Sequence, residues 1–193
     1  MSVDRPSGRD ITDWALAAGR GDPVALERFV RATQPMVWRL VAHLSDPGSA
    51  DDLAQETFLR ALGALHRFRA ESSAVTWLLS IARRVAADQI RSARARPRHA
   101  EVTDWQRGVE QAQPITGPGF DEGVALSALL ASLDAQRREA FVLTQTLGLS
   151  YDEAAQVCRC PVGTIRSRVF RARKDLLALL HDAEDPPRRR AAN

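Results

Sequence analysis

Residues 164–174, TIRSRVFRARK, set Thr164, Arg166, Ser167, Arg168, Arg171, Arg173 and Lys174 close together. Hydroxyls and guanidiniums at that density suit hydrogen bonding to phosphate oxygens and to base edges in the major groove of DNA. Between Arg166 and Lys174 there are five basic residues and no acid. A second run of donors lies earlier. Arg67-Phe68-Arg69 sets an aromatic ring between two arginines and is followed by Ser72 and Ser73, a composition that suits stacking and phosphate contact with a single strand. Residues 81–98 then hold six arginines against one acid, Asp88. A cationic helix end favours its own dipole, but six charges exceed what that needs, and nucleic acid is the better partner for them.

Bond-making chemistry has no comparable foothold. Asp51, Asp52 and Glu56 have no partner histidine, and there is no nucleophile–base pair, phosphate-binding glycine loop or metal signature. The two cysteines, Cys158 and Cys160, are spaced C-x-C, and none of the four histidines stands at ligand spacing from them. That is neither a disulfide framework nor a zinc site. They read as small thiols buried beside a helix break. The expectation is a binding protein rather than an enzyme, with no cofactor and no metal. Of 27 basic residues only Lys174 is a lysine, and forked arginine donors match guanine and phosphate. The net charge of +3 is too small to identify a partner by itself. No secretory signal is visible, and the longest apolar stretch, residues 124–133, is too short to span a bilayer. A soluble, cytoplasmic chain without membrane insertion is expected.

Hydrophobic periodicity supplies the elements that must carry these groups. All are helical, giving an all-α fold of two small helical domains joined by a flexible linker. Residues 150–180 read as two helices with a tight break. Ser150 and Glu153 make a capping box, the break falls at Cys158-Arg159-Cys160, and Pro161 suits the first turn of the second helix. There Val162, Ile165, Val169, Ala172 and Leu176 recur at steps of three and four, which leaves the donors on the other side. Upstream, 123–132 and 134–147 are two more helices, with Leu126, Leu129, Leu130, Leu133, Phe141, Val142 and Leu147 facing the core. Residues 122–182 thus form one domain.

The other domain, 10–98, begins with a short helix over 11–18, broken by Gly19-Arg20-Gly21. Asp22-Pro23 start another, Pro35 opens a further one, and Asp46-Pro47-Gly48 turns the chain. Trp14 and Trp38 are placed in the core. Along 49–65, Ala50, Leu53, Ala54, Thr57, Phe58, Ala61, Leu62 and Leu65 face inward. Asp51, Asp52, Gln55 and Glu56 gather outside with Leu59 among them. That face is either a solvated acidic surface favourable to a helix N-terminus or, with its exposed leucine, a protein-docking surface. Ser73 caps a helix over 75–94, whose inward face is Val75, Leu78, Leu79, Ala82, Val85, Ala86 and Ile90. Between the domains, 99–121 has no period and is rich in proline and glycine. From 99 to 122 it carries five acids and one arginine. It reads as an extended acidic tether, either simply solvated or laid in a positively charged channel of a partner, to which Trp105 inclines it. Residues 1–9 and 183–193 are expected to be disordered.

Taken in order, these segments resemble the extracytoplasmic-function (ECF) group of bacterial RNA polymerase sigma factors, of the sigma-70 family, over about residues 10–182. D-D-L-A-Q-E-T-F-L-R-A at 51–61 is similar to the polymerase-binding motif of sigma region 2. F-R-A-E-S-S-A-V-T-W-L-L-S-I-A-R-R at 68–84 is similar to the promoter-melting segment, and S-Y-D-E-A-A-Q-V-C-R-C-P-V-G-T-I-R-S-R-V-F-R-A-R-K-D-L at 150–176 to the helix-turn-helix of region 4. The resemblance implies that Asp52, Gln55, Glu56 and Leu59 engage the clamp helices of the polymerase β′ subunit, with a further contact to the β flap. It implies that Arg67, Phe68, Arg69, Ser72 and Ser73 capture an unstacked base of the −10 element, with Trp77 bordering the strand and Arg84, Asp88 and Arg91 holding the duplex upstream. Thr164, Arg166, Ser167, Arg168 and Arg171 then read the −35 element. One position departs from the family pattern: asparagine often follows I-A-R there, and Arg84 does here. Promoter DNA, core polymerase and an anti-sigma factor are the partners implied, with a monomer outside the holoenzyme.

Two other readings compete. A helix-turn-helix regulator acting without core polymerase explains 150–180 but leaves the acidic face and the basic run at 81–98 without a use, and shows no separate dimerisation element. A polymerase-associated adaptor that lacks promoter recognition is separated from a sigma factor by run-off transcription.

Overall fold

Ser7 opens the first helix with a reciprocal cap. Its hydroxyl accepts the Asp10 N–H at 3.2 Å, and the Asp10 carboxylate accepts the Ser7 N–H at 2.9 Å. Helix α1 (Gly8–Gly19) therefore starts three residues before the apolar pattern suggests. The computed structural model describes residues 6–95 and 128–184. The expectations for 1–5, for the tether with Trp105, for Leu126 and for the C-terminal tail lie outside those residues.

Gly19 ends α1 where it passes the 65–67 turn. A side chain there would sit 2.7 Å from the Leu65 carbonyl oxygen, so the close approach requires glycine. Asp22 caps the next helix, accepting from Val24 N at 2.9 Å and Ala25 N at 3.1 Å. That helix, α2 (Pro23–Leu44), runs through Pro35 instead of restarting there. The reason is tertiary. Phe29, Thr33, Val37, Leu40 and Val41 form one buried stripe across the proline, and Pro35 itself lies on the exposed side, where water can serve the carbonyl it leaves unpaired. Helices α3 (Ala50–Ala64) and α4 (Ala74–Ala95) complete the N-terminal half, linked by a 3₁₀ turn at Leu65–Arg67.

In the C-terminal half a helical turn at 128–131 precedes α5 (Ala135–Phe141), which Asp134 caps. The expected helix over 134–147 changes pitch partway. Val142–Thr146 is a π turn, closed by Leu147 N–H to Val142 carbonyl at 2.9 Å. Val142 and Leu143, at its start, are both fully buried. Helix α6 (Tyr151–Cys158) carries the expected Ser150–Glu153 capping box, a feature worth about 1 kcal/mol. Arg159 turns the chain in the left-handed conformation, and α7 (Val162–Glu184) follows with Ile165, Val169, Ala172 and Leu176 buried.

The halves share one apolar core. Leu78, Leu79, Ala82 and Val85 of α4 belong to the same cluster as Ala154, Val157 and Cys158 of α6, and α2 also meets α5. A charged pair joins them too. Arg83 donates from Nε to Glu139 Oε1 at 2.6 Å and from Nη2 to Oε2 at 3.3 Å. The described residues thus pack two helical halves into one body.

Candidate nucleic-acid interface

On α7 the apolar stripe turns Arg166, Ser167 and Arg171 outward and leaves Thr164 and Arg168 half-buried at its edge. Arg168 is held in place, donating to Gln136 Oε1 at 2.6 Å and lying 3.7 Å from the Cys160 sulfur. Arg166 and Arg171 have no ion-pair or hydrogen-bond partner among the described residues. Thr164, Ser167, Arg168 and Arg171 line an open cleft of about 390 Å3 with Gln136 and Arg137 of α5. Four of the five expected reading residues thus share one cleft, which Asp134 also lines, while Arg166 lies outside it. Phe170 stands on α7 too, 69% exposed. Sequence reasoning passed it over, although its place one step beyond Val169 puts it off the buried stripe.

Around α4 the picture is tighter. Phe68 is buried, its ring 5.0 Å from that of half-buried Trp77 and tilted at 41°. It anchors the 67–73 loop instead of offering a free face for stacking. Ala70 sits at φ +54, a left-handed conformation that a non-glycine residue adopts at a cost. Arg67 and Arg69 point to solvent. Ser73 caps α4, accepting the Thr76 N–H at 3.1 Å, and its hydroxyl also meets Glu153 Oε1 at 3.5 Å. Asp88 joins Arg60 at 3.0 Å and pairs with Arg91. Those hydrogen bonds, first from Arg60 and then from Arg91, hold its carboxyl below the ordinary range. Arg84 is exposed, with no such partner among the described residues.

The α3 face is more apolar than its sequence suggests. Asp52, Gln55 and Leu59 are exposed, Leu59 at 60%, and Glu56 accepts from Arg60 Nε at 2.7 Å. Leu62, expected inside, is also exposed. Trp38 is not a core residue either. It lies on the surface of α2, and its indole N–H donates to Asp51 Oδ1 at 2.7 Å. Leu62 and Trp38 both line a groove of about 390 Å3 between α2 and α3, together with Phe58 and Leu59. Glu56, Arg60, Asp88 and Arg91 form a charge chain from this face to the basic end of α4.

Cys158 is buried, and that burial, with the Glu139 carboxylate beside it, pushes its thiol up to about 12. It is a protonated packing group at neutral pH. Among the described residues no cluster of histidine, cysteine or carboxylate could hold a metal ion, and no helix is long and apolar enough to cross a membrane.

Comparison with known proteins fits this geometry. The model of sigma-70 region 2 matches residues 29–96, and that of sigma-70 region 4 matches residues 123–176. The ECF RNA polymerase sigma factor SigC of Mycobacterium tuberculosis is 56% identical over 188 residues, covering 95% of this chain and 97% of that protein. Among solved structures, CnrH in complex with the cytosolic domain of CnrY gives a TM-score of 0.69 at 25% identity, covering 91% of this chain and 99% of that one. The sigma factor RpoE in complex with the anti-sigma factor NepR from Bartonella quintana gives 0.61 at 28% identity, covering 81% and 96%. With both sigma regions present in order and over half of its residues shared with a relative matched almost end to end, this chain belongs to the extracytoplasmic-function group of RNA polymerase sigma factors, which direct the polymerase to promoters to initiate transcription.

Proposed function

We propose that the protein docks on the β′ clamp helices of core polymerase through Asp52, Gln55, Glu56 and Leu59, with Trp38, Phe58 and Leu62 widening the apolar part of that contact. The observation that supports this reading is the groove between α2 and α3, an apolar floor of Trp38, Phe58, Leu59 and Leu62 edged by Asp51 and Gln55, with Asp52 exposed on the same helix. The C-terminal half, residues 122–182, adds a contact to the β flap and reads the −35 element through Thr164, Arg166, Ser167, Arg168 and Arg171. The N-terminal half, 10–98, takes the −10 element. Arg67, Arg69, Ser72 and Ser73 meet an unstacked base, Phe68 and Trp77 brace them, and Arg84 and Arg91 hold phosphates, Asp88 fixing Arg91. The tether over 99–121 sets the distance between the two readers.

The protein works in the cytoplasm by binding alone, is a monomer outside the holoenzyme, and takes an anti-sigma partner, as its structural relative RpoE is found in complex with the anti-sigma factor NepR. Run-off transcription with core polymerase on a promoter library tests the reading. Promoter-specific transcripts are expected, and tight duplex binding without polymerase would instead favour a free-standing regulator. Gln55→Ala with Glu56→Ala should abolish polymerase pull-down at unchanged helical content.

A further inference from the structure

Where the halves meet, α3, the 67–73 loop, α4 and the end of α6 enclose a cleft of about 460 Å3. That volume falls within the range of small-molecule sites, roughly 300–1,000 Å3. Three separate segments place a guanidinium on its wall: Arg60 of α3, Arg84 of α4 and Arg159 at the break after α6. Arg60 is already oriented by Glu56 and Asp88. Arg84 and Arg159 are paired with nothing among the described residues, and no carboxylate lines the cleft. The remaining wall is different in kind, with Trp77 and Ile81 beside the hydroxyl of Ser72.

Arg159 supplies a second, independent observation. It stands at φ +52, a helix-ending position where glycine or asparagine is the unstrained choice. The turn gains nothing from an arginine there. A ligand that needs its charge does.

We propose that this cleft binds a nucleoside polyphosphate, with its phosphates on Arg84 and Arg159, Arg60 behind them, and its base against Trp77. Two unpaired guanidiniums brought to one cleft from separate helical halves match more than one phosphate, and a bare anion would leave the indole and Ile81 unused. Because Arg84 belongs to the N-terminal half and Arg159 to the C-terminal half, the nucleotide is gripped by both and favours the arrangement in which they touch. It also competes for Ser72, Trp77 and Arg84 with the −10 strand.

Calorimetric titration of the full chain with GTP, ATP, pyrophosphate and inorganic phosphate tests this. One-to-one binding of a nucleoside triphosphate is expected, about tenfold tighter than pyrophosphate. Arg159→Gln should weaken it about tenfold at unchanged far-UV dichroism, and Arg159→Lys should recover part of the loss. Gln156→Glu, on the exposed rim, should give the same weakening without touching the strained turn. Absence of saturable binding overturns the proposal, as does an affinity unchanged in Arg159→Gln and Gln156→Glu. Pyrophosphate binding as tightly as nucleotide reduces the cleft to an anion hole and overturns the assignment of its base.

Discussion

Helices α4 and α7 are built alike, each long, with a buried apolar stripe and a cationic remainder, yet they treat their charges differently. On α4 Arg83 and Arg91 are spent within the protein, and Arg84 is left unpaired among the described residues. Arg83 is tied to Glu139, and Asp88 gathers Arg91 and, from α3, Arg60. On α7 the run 166–174 contains no acid, Arg168 and Arg173 meet only neutral groups (amide oxygens and, for Arg168, the Cys160 sulfur), and Arg166 and Arg171 meet nothing among the described residues. A neutral partner orients a guanidinium without cancelling its charge. The difference marks α4 as a helix positioned by its ion pairs, with Arg84 left over for a ligand, and α7 as one that keeps the whole run 166–174 for a ligand.

The largest test of that contrast is Arg83→Ala. It strands the Glu139 carboxylate, whose side chain is 8% exposed, at a cost of about 3 kcal/mol. Glu139→Ala leaves Arg83, 32% exposed and able to reach water, and should cost only about 1 kcal/mol. Urea unfolding of the two variants checks the order, and the reverse order would refute a structural role for the α4 charges. Next comes α7. Arg168→Ala should cost about 1–3 kcal/mol in discrimination between promoters, whereas Arg171→Ala should weaken all sequences alike and lower the salt slope by about one. Filter binding of holoenzyme over a salt series separates them; equal behaviour would erase the distinction between an oriented reader and a phosphate contact.

A smaller effect is expected from Arg60→Gln. It removes an exposed partner of Asp88 and should change stability by less than about 1 kcal/mol, measured by thermal melting. The last test concerns His43 of α2, which burial and then the Arg138 charge of α5 keep from protonating, so its pKa lies below the ordinary 6.5. The unfolded chain binds that proton more readily, so stability is full above pH 6.5 and falls as pH drops below it. His43→Gln should flatten that part of the pH profile, and an unchanged slope would show that α2 and α5 do not press on this ring.

Local signals account for much of the fold. The Ser150 and Asp22 caps, the α7 stripe and the break at 158–160 are all written in neighbouring residues, and so are legible. What escaped depends on partners distant in sequence. Pro35 ought to break a helix and does not, because the burial of Phe29 and Val37 outweighs one lost hydrogen bond. Leu62 and Trp38 have core composition, but they line the open groove between α2 and α3, and no local signal shows that nothing covers it. Phe68 reads as an exposed stacking ring, yet Trp77 holds it inside. Glu139 gave no sign of its role because its partner lies 56 positions away.

The Arg83–Glu139 pair has one further consequence. When the two halves part, each charge regains its hydration, and that gain nearly cancels the attraction surrendered. The pair therefore fixes the register in which the halves meet while adding little to the work of separating them. The work of separation falls on the shared apolar core, and the pair ensures that halves once parted return to the same alignment.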